Sequence, residues 1–514
     1  MFDSNENEKR KTPVIGRDLW RRENVVNSAI EAAVNKDLSQ CPSYRDSILM
    51  IDDPKILGNE LLVTSCIANS LNDTFKAEAP LPDIHIPLKS ITLTNCQRTK
   101  SDFIEKQPFI EDAFKADSFY KTLENSSILK EKLMQLDIFS KIESTTIDYR
   151  GKPDEGFHVK YKVQEANRAR GKGTLTISSN DNSIAPLASI QLPNIFGRGE
   201  SASIEYARSS KASNSYSVRF QKPIGVRYQS MLNAGLFRSF QPNCYSSFNQ
   251  LDHGAFAEST FETHLGVHSL RYDCVWREVK CPSIETPIEI RKQAGHSLKS
   301  AISHSLVHDT RDNPVLATHG SLIKFTQEIA GGHFGGDTHH LKGSLELKRN
   351  FSLPLDMVLE LSTQLISIHA LKNVVQITDA LFLGGPMTVR GFDQNGIGPL
   401  KKEFALGATS SASSGVHVYS PLPFIRRIPG SFADLFRLHL FVNSGTLFDM
   451  PKNTEPKELL KVFWRETRAS VGAGVLLTLG AVVRIEVNAC WPLRKMDGDK
   501  FCDRFQYGVG LQFL

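Results

Sequence analysis

From Gly171 onward, apolar and polar residues alternate with a period of two, and that pattern limits the fold more than any other feature of the sequence. In 215–221, Tyr216, Val218 and Phe220 point one way while Ser217, Arg219 and Gln221 point the other. The runs 341–348, 436–443 and 483–491 repeat this. In the last, Val483, Ile485, Val487, Ala489 and Trp491 alternate with Arg484, Glu486, Asn488 and Cys490. Successive side chains of a strand face opposite sides of the sheet, so each run is a strand with one apolar and one polar face. Counting such runs gives about sixteen strands of about ten residues, the length that crosses a bilayer when tilted. No helical pattern is evident between them. So many hairpins in one layer, with nothing to cover the edges, close into a barrel. The polar face carries Arg, Lys and Glu strand after strand, which suits a water-filled lumen better than a sandwich core. The expected fold is mainly β: a 16-stranded antiparallel transmembrane β-barrel over 171–514.

Composition agrees with a barrel of this kind. The net charge of +5 implies neither a nucleic-acid binder nor a polybasic membrane anchor. No apolar run reaches the roughly 18 residues of a membrane helix. The longest, Val471 to Val483, contains Thr478 and stops at Arg484. A barrel hides its lipid face in the average, so a mean hydropathy of −0.25 is compatible with one. The start, MFDSNENEKRKTP, lacks the apolar stretch of a secretory signal and is too acidic for a transit peptide. Eight cysteines without a CxxC pair or metal-ligand spacing are expected to be free thiols. Cys490 and Cys502, flanking one hairpin, are the single pair placed to bridge.

Residues 1–83 form an N-terminal extension, partly helical or disordered, with helical stripes at 23–34 and 58–75 and an APLPD linker at 79–83. Residues 84–166 are expected to form one small α+β domain. Its parts are a strand over 84–94, a helix over 118–135 with Leu129, Leu133 and Leu136 on one face, and strands at 141–149 and 156–165. A sheet edge there could take up an extended peptide, though Lys160 and Lys162 read equally well as a solvated face.

Three stretches stand out from the strand pattern. LGGPMTVRGFDQNGIGP, 383–399, is too rich in Gly and Pro for helix or central strand, and holds a single Arg390 between Val389 and Gly391-Phe392. PNIFGRGE occupies 193–200. The last strand, 504–513, is expected to direct Phe505, Tyr507, Val509, Leu511 and Phe513 to one face and Gln506, Gly508, Gly510 and Gln512 to the other. A fourth stretch, GGHFGGDTHH at 331–340, offers His333, Asp337, His339 and His340 as donors. It lies where a Gly-rich turn belongs, and neither metal nor cofactor is expected. No GxSxG elbow appears, and the chain is not expected to be an enzyme.

The residues Val389, Arg390, Gly391 and Phe392 resemble the [VI]RGF loop of the insertase superfamily that includes bacterial BamA. Asn194, Phe196, Gly197, Arg198, Gly199 and Glu200 resemble that superfamily's N-[LI]-F-G-R-G-[ED] segment. Gln506, Gly508, Leu511 and Phe513 match the mitochondrial β-signal: polar, x, Gly, x, x, apolar, x, apolar. The order of the front domain resembles a POTRA domain. Over about 84–514 the chain thus resembles the core-barrel family of the mitochondrial sorting and assembly machinery. The resemblance implies a barrel of the mitochondrial outer membrane that inserts and assembles β-barrel precursors through a lateral seam between first and last strands. It implies porin and import-pore precursors and metaxin-like peripheral subunits as partners, a lipid bilayer, no nucleic acid, and an N-terminal domain in the intermembrane space. The hairpin of Cys490 and Cys502 would face the cytosol, with both thiols reactive. Gly508 and Gly510 would loosen the closing strand pair, or equally are small residues fitted to a narrow lumen. The loop between the eleventh and twelfth strands would fold into the lumen, its Arg meeting Phe-x-Asp-x-Gly on strand thirteen. Here that segment is Phe441-x-Asn443-x-Gly445, so Arg390 must find another acceptor or be held more loosely. The alternatives are a passive porin-type channel and a protein-translocating barrel of the same superfamily.

Overall fold

The computed structural model describes residues 14–15, 87–149, 156–178, 183–209, 212–225, 230–372, 374–423, 432–450, 456–480, 483–510 and 513. The expectations for the first 83 residues therefore lie almost wholly outside the described residues, as does Leu511. The chain divides into two compact units, 1–168 with 193–199, and 169–192 with 200–514. The barrel range expected from sequence, 171–514, thus gives up 193–199 to the first unit.

In the first unit, β1 (Val14–Ile15), β2 (Leu88–Thr94), β3 (Phe139–Tyr149) and β4 (Phe157–Glu165) form a sheet in the order β1-β2-β4-β3. The pair β2–β4 is parallel and β3–β4 antiparallel. Ser118 caps the helix Phe119–Gln135 by accepting from Lys121 N–H, satisfying one of its orphan donors. That helix buries Leu129 and Leu133 against Ile91, Leu93, Tyr161 and Val163 of the sheet. The Tyr161 hydroxyl donates to Ser126 O at 2.9 Å, so the polar end of a buried ring is satisfied. Lys160 and Lys162 pair at 2.6 Å with Asp148 and Glu143 on the neighbouring strand.

The second unit is one antiparallel sheet of sixteen strands. Its first eight are β5 (Arg170–Ser178), β6 (Ser183–Pro193), β7 (Ser201–Arg208), β8 (Asn214–Gly225), β9 (Ser230–Asn243), β10 (Phe248–Thr263), β11 (Gly266–Lys280) and β12 (Gly295–Asp309). Then come β13 (Gly320–Ala330), β14 (His340–Leu353) and β15 (Met357–Ala370). A long loop carries the two short strands β16 (Leu400–Lys401) and β17 (Phe404–Ala405). The sheet resumes with β18 (Ser410–Ser420), β19 (Phe436–Phe448), β20 (Thr467–Leu479), β21 (Val483–Arg494) and β22 (Phe505–Gly510). Neighbours in sequence are neighbours in the sheet throughout, and Cα atoms of β5 and β22 come within 8 Å of each other.

The alternation foreseen in the sequence separates two environments. On β21, Val487 and Trp491 are half exposed, while Arg484, Glu486, Asn488 and Cys490 are buried on the lumen side. On β22, Phe505 and Tyr507 face outward and Gln506, Gly508 and Gly510 inward. Two expectations need correction. A helix, Pro456–Arg465, interrupts the strands between β19 and β20; its PKELLKVFWR is too short to outweigh the period-two pattern around it. And Phe513 lies buried instead of facing outward with Phe505 and Tyr507.

Candidate functional site

The loop between β15 and β18 joins the eleventh and twelfth barrel strands and folds into the lumen, as the sequence led one to expect. Two of its fixed points are charged. Its entry is held by Asp379, whose carboxylate meets Arg277 of β11 at 2.7 Å and Lys299 of β12 at 2.9 Å. Lys299 also pairs with Glu328 at 2.6 Å, and His340 meets the same carboxylate at 2.9 Å. Burial alone would raise the pKa of Asp379, but the two cations hold it well below the usual carboxylate range. Glu328, His340 and Asp379 stand close enough to suggest a metal, yet the Lys299 ammonium already lies against both carboxylates. The other donors of the Gly-rich turn do not converge there. Asp337 accepts from Leu298 N–H at 2.7 Å and His339 from Gly332 N–H at 3.1 Å.

The second fixation is the Arg390 guanidinium. It is fully buried and pairs with Glu486 of β21, Nε to Oε2 at 2.9 Å and Nη2 to Oε1 at 3.2 Å. This two-point contact with a carboxylate is the strong geometry for arginine. The expected partner on strand thirteen is also present. With its amide turned so that oxygen faces the guanidinium, Asn443 accepts from Arg390 Nη1 at 3.2 Å. The Phe441 ring lies 5.3 Å from the guanidinium carbon. Gly445 is needed for closeness, since a Cβ there would stand 2.5 Å from Val389 Cγ2. So Phe441, Asn443 and Gly445 all touch the loop, while the charge is met by Glu486. The sequence showed Glu486 as one of several polar residues on a lumen face, and nothing set it apart. Arg484 and Asn488 on the same face were its one signal, because a carboxylate between two such donors is ready to take a third.

Arg390 is therefore neither loosely held nor open to a water-filled lumen. The loop itself covers it, and its neighbours Glu486, His417, His439, Asn443 and Asn488 are all buried. Behind the ion pair, Asn488 Nδ2 donates to Glu486 Oε2 at 2.8 Å while Asn488 Oδ1 accepts from His439 Nδ1 at 3.1 Å; His439 meets His417 at 3.0 Å. Arg484 also pairs with Glu486 and donates to the Tyr419 hydroxyl at 2.9 Å.

The C-terminal segment belongs to the same assembly. Gln506 accepts from Gly391 N–H at 3.0 Å and donates to Phe392 O at 2.7 Å, so one amide satisfies both polar groups of the loop's tip. The Phe513 ring stands 5.4 Å from the Arg390 guanidinium carbon and 4.8 Å from that of Arg484. Gly508 and Gly510 make room for the loop. A Cβ at 508 would approach Pro386 to 2.9 Å, one at 510 Met387 to 2.1 Å, and both would press on the Phe513 ring. Their small size receives Pro386, Met387 and Phe513 on the lumen face. Truncating Gln506 to Ala strands two buried backbone groups, which should cost about 2 kcal/mol and speed hydrogen exchange at the Gly391 amide. Unchanged exchange would contradict this clamp.

On the turn after β21, Cys502 N–H donates to Gly391 O at 3.2 Å, Lys500 N–H donates to Gly396 O at 2.9 Å, and Lys500 O accepts from Asp393 N–H at 3.0 Å. Cys490 and Cys502 are both free thiols. The neighbouring Cys490 thiol lowers the pKa of Cys502 to about 7. Cys502 is partly exposed and Cys490 only 2% exposed, so the expectation that both react freely needs correction. Cys502 should label at neutral pH at a rate that climbs as pH passes about 7, with Cys490 labelled only after unfolding. Equal labelling of the two, read by mass spectrometry, would refute the assignment.

The 193–200 stretch serves the first unit. Asn194 adopts φ +53° and donates to Thr99 Oγ1 at 2.9 Å, while its Oδ1 accepts from Gly199 N–H at 2.9 Å. At Gly197, φ is +85° and a Cβ would stand 2.2 Å from Arg98 O, so only glycine fits. Its carbonyl accepts from Lys100 N–H at 2.8 Å, and Arg198 pairs with Asp102 at 2.9 Å. Phe196 is exposed, whereas Glu200, in the second unit, is buried.

A glycine-rich arginine loop folded into the lumen of a sixteen-stranded barrel and held on its last strands defines the class, and the comparisons agree. A family model described as the Omp85 superfamily domain matches residues 194–513. The Bos taurus sorting and assembly machinery component 50 homolog is 35% identical over 81% of this chain and 88% of its own length. The Xenopus tropicalis homolog of the same name is 33% identical over 85% of this chain and 93% of its own. The structure of BamA from Haemophilus ducreyi lacking POTRA domains 1–3 shares the fold, with TM-score 0.64 at 16% identity over 83% of this chain and 84% of that one. The chain belongs to the Omp85 superfamily and, within it, to the family of sorting and assembly machinery component 50 homologues.

Proposed function

We propose that this chain inserts and assembles β-barrel precursors of the porin and import-pore type into the mitochondrial outer membrane, through a lateral seam between β5 and β22. The observation that carries the seam is the state of those two strands. They approach within 8 Å, yet no hydrogen-bonded register joins them among the described residues. An edge exposed to lipid leaves backbone groups unpaired at several kcal/mol each, so a precursor strand gains by pairing with a parted edge. The driving force is the precursor's own hydrogen bonding and apolar burial, and no bond is made or broken, so no enzymatic step is involved. The small α+β domain is read as POTRA-like and placed in the intermembrane space, with metaxin-like subunits as peripheral partners. A lumen crossed by a doubly fixed loop speaks against a passive channel.

The test uses the full chain reconstituted in liposomes with an unfolded porin precursor. The expected result is faster acquisition of the folded, protease-resistant porin than in empty liposomes. Solute conductance without any acceleration of folding would overturn the proposal.

A further inference from the structure

The helix Pro456–Arg465 lies at the rim where β19 ends and β20 begins, the same rim that the lumen loop and the turn after β21 leave from. Its last turn rests on the outer wall. On β19, Leu440 and Val442 face outward and are 56% and 50% exposed, yet Thr446, in the same outward series, is 1% exposed. The Thr446 and Thr467 hydroxyls meet at 3.1 Å, and Thr467 Oγ1 donates to Phe463 O at 2.7 Å. Arg494 Nη2 donates to Arg465 O at 3.1 Å. Two wall residues therefore satisfy carbonyls that the end of a helix leaves unpaired.

The exposed face of this helix has a definite chemistry. Lys457, Lys461 and Arg465 recur at helical spacing against a single acidic Glu458 within the helix, and all four are exposed, Arg465 also pairing with Glu466 at 3.0 Å just past its end. Beside that basic stripe, Trp464 is 64% exposed. The other two described tryptophans, Trp276 near the end of β11 and Trp491 near the end of β21, are also outward-facing and half exposed at this rim. Tryptophan concentrates where hydrocarbon gives way to headgroups, and lysine and arginine beside it meet lipid phosphates.

We propose that the helix Pro456–Arg465 is an interfacial membrane-binding element, with Trp464 at headgroup depth and Lys457, Lys461 and Arg465 directed at anionic phospholipids. Continuity with the lipid-facing wall and the sign of the charge select a lipid surface as the occupant. The element extends the barrel's grip on the bilayer sideways, beyond the strands themselves. It rests on the barrel being embedded in a membrane, which Trp491 on the wall reports independently.

The test uses the full chain in vesicles of phosphatidylcholine, alone or with about one third phosphatidylglycerol. One variant keeps only Trp464, with the other tryptophans changed to Phe, and a second keeps only Trp491. Lipids brominated near the carbonyl end of their chains should quench both, Trp464 by roughly twofold, and more strongly with the anionic lipid present. Lys457→Gln, Lys461→Gln and Arg465→Gln together should abolish that dependence on anionic lipid while quenching at Trp491 stays unchanged. Quenching of Trp491 but not Trp464 overturns the proposal and leaves the membrane barrel standing. Quenching of neither overturns both. Trp464 protection that appears only when a peripheral protein subunit is added overturns it in favour of a protein partner.

Discussion

Glu486→Ala should destabilise the barrel by about 3–5 kcal/mol, more than removal of Arg390 itself. Both Arg390 and Arg484 pair with this one buried carboxylate, so its loss leaves two guanidiniums uncompensated. Arg390→Ala removes one of three interacting charges and leaves Glu486 still paired with Arg484. The barrel should therefore form in Arg390→Ala, with the tip of the loop released and porin insertion impaired. Denaturant unfolding of the two variants in detergent, together with the liposome folding assay, separates them. Equal stability losses would show that Glu486 is not shared, and normal porin insertion by Arg390→Ala would remove the loop tip from the mechanism.

The second large effect is expected at the loop's entry. Asp379→Ala should cost about 3 kcal/mol, because Lys299 keeps Glu328 but Arg277 is left in the lumen wall without a carboxylate. This contact also sets a pH dependence. The folded-state pKa of Asp379 is depressed, so its contribution is complete above the unfolded value of about 3.9 and fades only as pH falls through the lower folded value. The stability gap between the natural chain and Asp379→Asn should thus be constant from pH 7 down to about 4 and narrow in stronger acid. A gap that closes between pH 7 and 5 would mean that another group controls the entry.

The barrel was legible in the sequence because its evidence is redundant: each strand repeats the same period-two alternation, and an error in one leaves the rest intact. The place of the Arg390 loop followed from that count. Phe441, Asn443 and Gly445, all of which touch the loop, came from the family resemblance. What the sequence concealed was partnership across the lumen. Arg390 and Glu486 are 96 residues apart, and no local pattern joins them. Asp379, Arg277 and Lys299 were hidden for the same reason. Phe513 was misplaced because the alternation of Phe505 and Tyr507 was carried on to it, whereas its ring stands beside two buried guanidiniums. The helix at 456–465 was missed because ten residues of helical spacing are faint between two long strands.

The two fixations of the loop also have a mechanical meaning. Arg277 and Lys299 belong to the seventh and eighth strands of the sheet, Glu486 and Gln506 to the fifteenth and sixteenth, half a circumference away. The loop is thus a cross-brace spanning the lumen between opposite walls. None of the described contacts that fix it reaches β5. Parting β5 from β22 would leave every one of them intact, and the load would pass through the brace into the far wall, keeping one jamb of the opening stiff while the other swings.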